Sequence, residues 1–152
     1  MVFETLYRFP ADMSVLQAIQ GLVDRLAVNF EAATVARAQT AIEELFANIV
    51  HHGVRACAGP VDVGVAVQVV GDTLHIHIED ECLAFDPFAG LDVALAQTTL
   101  PVEQRQIGGL GRLMAHGLAD EARYVREGKR NCIELHFRVR PGPSATGAPA
   151  MK

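Results

Sequence analysis

Apolar and polar positions recur along this chain in two periods, and the change from one to the other marks its elements. Val15, Leu16, Ile19, Leu22, Val23, Leu26 and Phe30 follow Pro10 at helical spacing, with Ser14 as the expected N-cap and Gln17 completing a capping box. A second helix is predicted from about Thr34 to His52. Ala38, Ile42, Leu45, Phe46, Ile49 and Val50 line its buried side, Glu43, Glu44 and Asn48 are polar exceptions, and Gly53 is expected to stop it.

The period then drops to two. Val61, Val63, Val65, Val67 and Val69 alternate with Asp62, Gly64, Ala66 and Gln68, Gly71-Asp72 turns the chain, and Leu74, Ile76 and Ile78 continue opposite His75 and His77. A second hairpin closes the sequence: Ala122 to Arg126, a Glu127-Gly128-Lys129-Arg130 turn, then Asn131 to Val139 with Ile133, Leu135, Phe137 and Val139 inward. Val2 to Phe9 reads as a further strand with Phe3, Tyr7 and Phe9 on one side. Gly111 to Leu118 reads as a short helix. Few helices beside half-buried strands predict an α+β fold, a two-layer α/β sandwich whose mostly antiparallel mixed sheet carries helices on one face.

Leu83 to Ile107 has no firm period, and a connection this long inside a domain is usually functional, such as a lid, or else disordered. The last stretch, 141–152, is rich in Pro, Gly, Ala and Ser and reads as a disordered tail behind a single domain over 1–140. Composition narrows the classes further. At 50% hydrophobic and 20% charged, the 152 residues describe a globular chain. A net charge of −5 without a basic block disfavours direct nucleic-acid binding. Cys57, Cys82 and Cys132 are odd in number and widely spaced, which argues against a disulfide framework. No apolar run reaches membrane-spanning length and no basic leader opens the chain, so a cytoplasmic protein is expected.

Three places carry candidate chemistry. Glu44 and Asn48, four residues apart, share one helical face, where an amide oxygen suits Mg²⁺ and a carboxylate suits a general base. Asp80 ends a strand, and a carboxylate accepts hydrogen bonds from an exocyclic amine such as that of adenine. Gly108-Gly109-Leu110-Gly111 opens a helix, where backbone amides approach phosphate oxygens. Neither a Rossmann fingerprint nor a P-loop fits that run. His51, His52, His75 and His77 lack familiar zinc-ligand spacing.

Taken together, Ala41-Ile42-Glu43-Glu44-Leu45-Phe46-Ala47-Asn48 with His52-Gly53, Glu79-Asp80-Glu81 with Phe85-Asp86-Pro87, and Gly109-Leu110-Gly111 resemble the GHKL, or Bergerat-fold, ATP-binding domain. Within it the chain is most similar to the anti-sigma factor serine kinases (the RsbW type), from about Phe3 to Val139; Asp120-Glu121 and the hairpin Arg126 to Asn131 share the likeness. The resemblance implies ATP and Mg²⁺ as cofactors, Glu44 as the base and Asn48 as the metal ligand. Asp80 would read adenine above a pocket floor at Cys82, and Gly109 and Gly111 would line the phosphates beneath a lid from roughly Phe88 to Ile107, with Arg105 a contact for the terminal phosphate. It implies phosphorylation of a serine on a STAS-type anti-sigma antagonist, sequestration of a sigma factor, and a homodimer.

Two departures stand out: Asp80-Glu81-Cys82 replaces the family's usual Asp-x-Gly, and Arg112 replaces the apolar residue after the glycine turn. The first supports an alternative, a regulatory module that binds nucleotide or partner without catalysis. The ATP-binding domain of a histidine kinase is a third reading.

Overall fold

A computed structural model describes residues 2–28, 30–57, 59–89 and 117–138. The predicted glycine turn, Arg105, Arg112, most of the predicted lid and the predicted tail lie outside these described residues. Within them the chain forms β1 (Tyr7–Pro10), α1 (Leu16–Leu26), α2 (Ala32–Asn48), β2 (Asp62–Val70), β3 (Thr73–Asp80), β4 (Glu121–Glu127) and β5 (Arg130–Arg138). The five strands make one open sheet in the order β1-β2-β3-β5-β4, and each described pairing is antiparallel.

The sequence's period of two decides which face of the sheet is dry. Val63, Val65, Leu74, Ile76, Ile78, Ile133, Leu135 and Phe137 point one way and close a single core with Ile19, Leu22, Val23, Ala38, Ile42, Leu45 and Phe46 of the two helices. Both helices therefore lie on one face, which gives the expected two layers. Gly71 and Gly128 take positive φ, +61° and +59°, at the tight turns of the two hairpins, a conformation that glycine adopts without strain. Among the described residues no helix is long and apolar enough to cross a membrane.

Several local expectations change. Asp12, not Ser14, caps the first helical segment: its carboxylate accepts the Ser14 N–H at 2.9 Å and starts a 3₁₀ turn at Met13–Val15 that runs into α1. The first strand is shorter than expected, and Phe3 leaves the side of Phe9. It crosses to the outer face and packs on His77, ring centroids 5.5 Å apart, while Phe9 packs against the core.

The end of α2 also differs. The α-helix closes at Asn48, and the chain continues through one turn of π-helix, Ile49–Gly53, then a 3₁₀ turn, Val54–Ala56. Gly53 has φ −65°, an ordinary right-handed value, so it does not stop the helix by the left-handed route. Its reason lies across the molecule. A Cβ placed there would stand 3.2 Å from Cys82 Sγ, so the glycine leaves room for the segment that follows β3.

Candidate functional site

Three elements end together at one edge of the core. The last turn of α2 brings Leu45 and Asn48, and the π turn adds Ile49 and Gly53. The end of β3 brings Asp80 and runs on through Cys82, Leu83, Phe85 and Pro87, and the start of β5 brings Asn131 and Ile133. Between them lies a cavity of about 290 Å³ with mostly apolar walls and polar groups at a few points. Apolar walls around a small number of placed polar groups are the usual form of a site that takes a flat organic ring.

Asp80 is one of its two most deeply buried polar side chains, at 6% exposure beside Asn131 at 3%. It sits on β3 with the parity of Leu74, Ile76 and Ile78, so the alternation that builds the core turns a carboxylate inward at the strand's last position. Two hydrogen bonds hold it, both on Oδ1: the Cys82 N–H and Asn131 Nδ2 each donate at 2.9 Å. The carboxylate is thereby oriented with Oδ2 as its remaining acceptor, in a cavity that Asp80 lines.

Asn48 is half-buried at the last residue of α2 and also lines the cavity. Its Nδ2 is buried without a hydrogen-bond partner, a state that costs free energy in an isolated domain and that a ligand oxygen would relieve. Glu44 lies one helical turn back on the same face, half-buried, outside the residues that line the cavity.

Cys82 is buried, and its thiol is pushed up by that burial, by the neighbouring Cys57 thiol and by the charge of Asp80. A thiol held protonated in this way is a poor nucleophile, so Cys82 acts as a space-filling wall beside Gly53. The structure thus brings Asn48, Asp80 and Cys82 into one cavity and leaves Glu44 at a turn's distance. Gly109, Gly111 and Arg105 lie outside the described residues.

A family model, the histidine kinase-like ATPase domain, matches residues 9–137. The chain belongs to that family. Membership implies ATP binding, typically with Mg²⁺, within the GHKL superfamily. This ATPase domain also shares its fold with the histidine kinase domain of the Erythrobacter litoralis EL346 blue-light activated histidine kinase, with a TM-score of 0.52 at 13% identity. That match covers 86% of the present chain and 62% of the other. The Acinetobacter baumannii histidine kinase AdeS matches with a TM-score of 0.47 at 14% identity, covering 88% of this chain and 67% of that one. No curated protein matches the sequence.

The residues of this ATPase domain fit a magnesium nucleotide. Asn48 offers an unpartnered Nδ2 donor suited to a phosphate oxygen and an amide oxygen of the type that magnesium takes, and Asp80 offers an acceptor-only carboxylate for an amine. Sequence reasoning missed Asn131, which holds Asp80 in place. Its signal was present: Asn131 shares the inward parity of Ile133, Leu135 and Phe137, and a polar residue on a core-facing parity needs a reason.

A second polar cluster lies on the opposite face of the sheet. His77, Glu79 and Cys132 bring ligand-type atoms within 4.8 Å of one another. However, Glu79 is already engaged by His77 Nε2 at 2.9 Å, Arg8 at 3.4 Å and Arg130 at 3.5 Å. Two guanidiniums already pair with the carboxylate that a cation would need, so this cluster reads as an ion-pair network.

Proposed function

We propose that this domain binds ATP with Mg²⁺ and transfers the terminal phosphoryl group to a serine of a STAS-type anti-sigma antagonist, and that it also sequesters a sigma factor. The observation that carries the nucleotide part is the single cavity that joins Asn48 on α2 to Asp80 on β3. The protein-substrate part rests on the resemblance of the motifs around Glu44, Asp80 and the glycine turn to the anti-sigma factor serine kinases.

Each residue has a defined task in this reading. Asp80 accepts a hydrogen bond from the base's exocyclic amine, and the apolar walls formed by Ile49, Leu83 and Ile133 exclude water from the ring. Asn48 would hold the metal through its amide oxygen, and the bound ion supplies charge neutralisation on the phosphates. Glu44 takes the proton of the acceptor serine as its oxygen bonds to phosphorus and the bond to ADP breaks. The homodimer implied by the resemblance and the cytoplasmic location expected from the sequence belong to the same proposal.

Calorimetric titration with ATP and Mg²⁺, followed by transfer of labelled phosphate to antagonist proteins, tests it. Saturable ATP binding is expected in the wild type and in Glu44→Ala, with transfer only in the wild type. Transfer by Glu44→Ala at the wild-type rate would remove Glu44 from its role. A second reading, a nucleotide-gated or partner-binding module without catalysis, is favoured by the Cys82 side chain at a position where the family usually has glycine. Binding without transfer to any antagonist is its signature.

A further inference from the structure

Asn131 opens the core-facing side of β5 directly across the ladder from Asp80, and it is 3% exposed. Both ends of its amide are fully used. Nδ2 donates to Asp80 Oδ1 at 2.9 Å and to the Leu83 carbonyl at 3.0 Å. Oδ1 accepts from the Tyr124 hydroxyl at 2.7 Å, from Arg126 Nη1 at 3.0 Å and from the Phe85 N–H at 3.2 Å. Exchanging the amide oxygen and nitrogen would aim an oxygen at a carboxylate and a carbonyl, and an NH₂ at three donors. The partners therefore fix its orientation.

We infer that Asn131 is a positioning residue that sets base selectivity in the nucleotide cavity by holding Asp80 as an acceptor. The inference rests on the nucleotide reading above. A neutral donor is what the task requires. An arginine or lysine at this position would neutralise the carboxylate, and a second carboxyl would share a proton with it. A proton on Asp80 turns an acceptor into a donor. An ionised Asp80 prefers a ring with an exocyclic amine, as in adenine, and a protonated one tolerates a carbonyl at the same place, as in hypoxanthine.

The same amide fixes the wall of the cavity. Through Leu83 and Phe85, with Arg126 Nη1 adding a bond to the Cys82 carbonyl at 2.9 Å, it ties the segment after β3 to the β4–β5 hairpin. One side chain thus sets both the chemical identity of the reader and the shape of the surface against which the ring lies.

The test measures ADP and IDP affinity by calorimetry across about pH 6 to about pH 8.5 for the full chain and its Asn131→Asp variant, an isosteric change that removes the donor toward Asp80. Wild type should prefer ADP by about tenfold or more throughout that range, the worth of a hydrogen bond to a charged group. In Asn131→Asp the preference should collapse at the acidic end and recover as pH rises. Equal weakening of both nucleotides, independent of pH, would reduce Asn131 to a structural role and overturn the inference.

Should that variant show no cooperative melt, Tyr124→Phe combined with Arg126→Gln loosens the far end of the amide without touching Asp80. A fall in the ADP preference of about threefold or more is expected there, and an unchanged preference overturns the inference. Absence of ADP binding in the wild type is a separate result, seen before any variant is made, and overturns the nucleotide reading together with this one.

Discussion

Glu79 and Asp80 are consecutive carboxylates on one strand, 5% and 6% exposed, and the pleat sends them to opposite faces. Glu79, on the outer face, is met by His77, Arg8 and Arg130. Burial works to raise its carboxyl, but the hydrogen bond and charge of His77, with Arg130 and Arg8, outweigh it and hold the group below its ordinary value. Asp80, on the helix side, is met by an amide and a backbone N–H. The contrast lies in what the partners leave over. Cations cancel a charge and complete a structure, whereas neutral donors orient a charge and keep it available for a ligand.

Substitution at each carboxylate should separate the two roles. Asp80→Asn swaps the acceptor for a mixed donor–acceptor group, and ATP affinity should fall roughly 100-fold, measured by titration, with a retained thermal transition. Glu79 is walled by Gly64, where an added Cβ would stand 2.8 Å from Glu79 Cγ. Gly64→Ala should therefore lower stability by roughly 1–3 kcal/mol in denaturant titration and leave ATP affinity within about twofold. Adding Glu79→Ala should recover part of that loss, and a purely additive double variant would break the assignment. Glu79→Gln alone should cost about 1 kcal/mol, because Arg8 and Arg130, at 57% and 44% side-chain exposure, regain water.

The smallest expected effect is a pH dependence confined to the outer face. His75 is held below its ordinary value by burial first and by His136 next, against the opposing pull of Glu134 and Glu121. The unfolded chain therefore takes up this proton before the folded one, and stability should decline as pH falls just below about 6.5. Glu79 has a depressed folded value, so its contribution is complete above the ordinary carboxylate value and disappears as pH falls through the folded one. Unfolding free energy against pH should show both limbs in the wild type. The upper limb should flatten in His75→Gln, and a limb unchanged in that variant would show that His75 is not its source.

The parts legible from sequence were those governed by a strict period. The valine alternation of β2 and the matching parity in β3 and β5 predicted a sheet with one dry face, and that face is where the helices lie. Asn48 and Asp80 were readable as a pair because each ends an element, and element ends meet at the rim of a two-layer fold. Asn131 was passed over because its meaning lies across the ladder. Register pairs it with Asp80, and neither residue alone announces the other. Phe3 and Gly53 were misplaced for a related reason, since each answers to a distant neighbour, His77 and Cys82, more than to its own stretch of chain.

The wide turn after Asn48 has a consequence for length variation. A π turn holds one residue more than an α turn over nearly the same rise, and here the Val54 N–H reaches back to the Ile49 carbonyl to close it. Deleting a single residue such as Val50 would let the turn tighten to α geometry and still deliver Gly53 opposite Cys82. The same deletion inside α2 would instead rotate Asn48 away from Asp80 by about 100°. Tolerance to one-residue deletions should thus switch on just past Ile49, which walls the cavity, drawing a boundary between the rigid rod that aims at the nucleotide and a turn that only has to deliver Gly53.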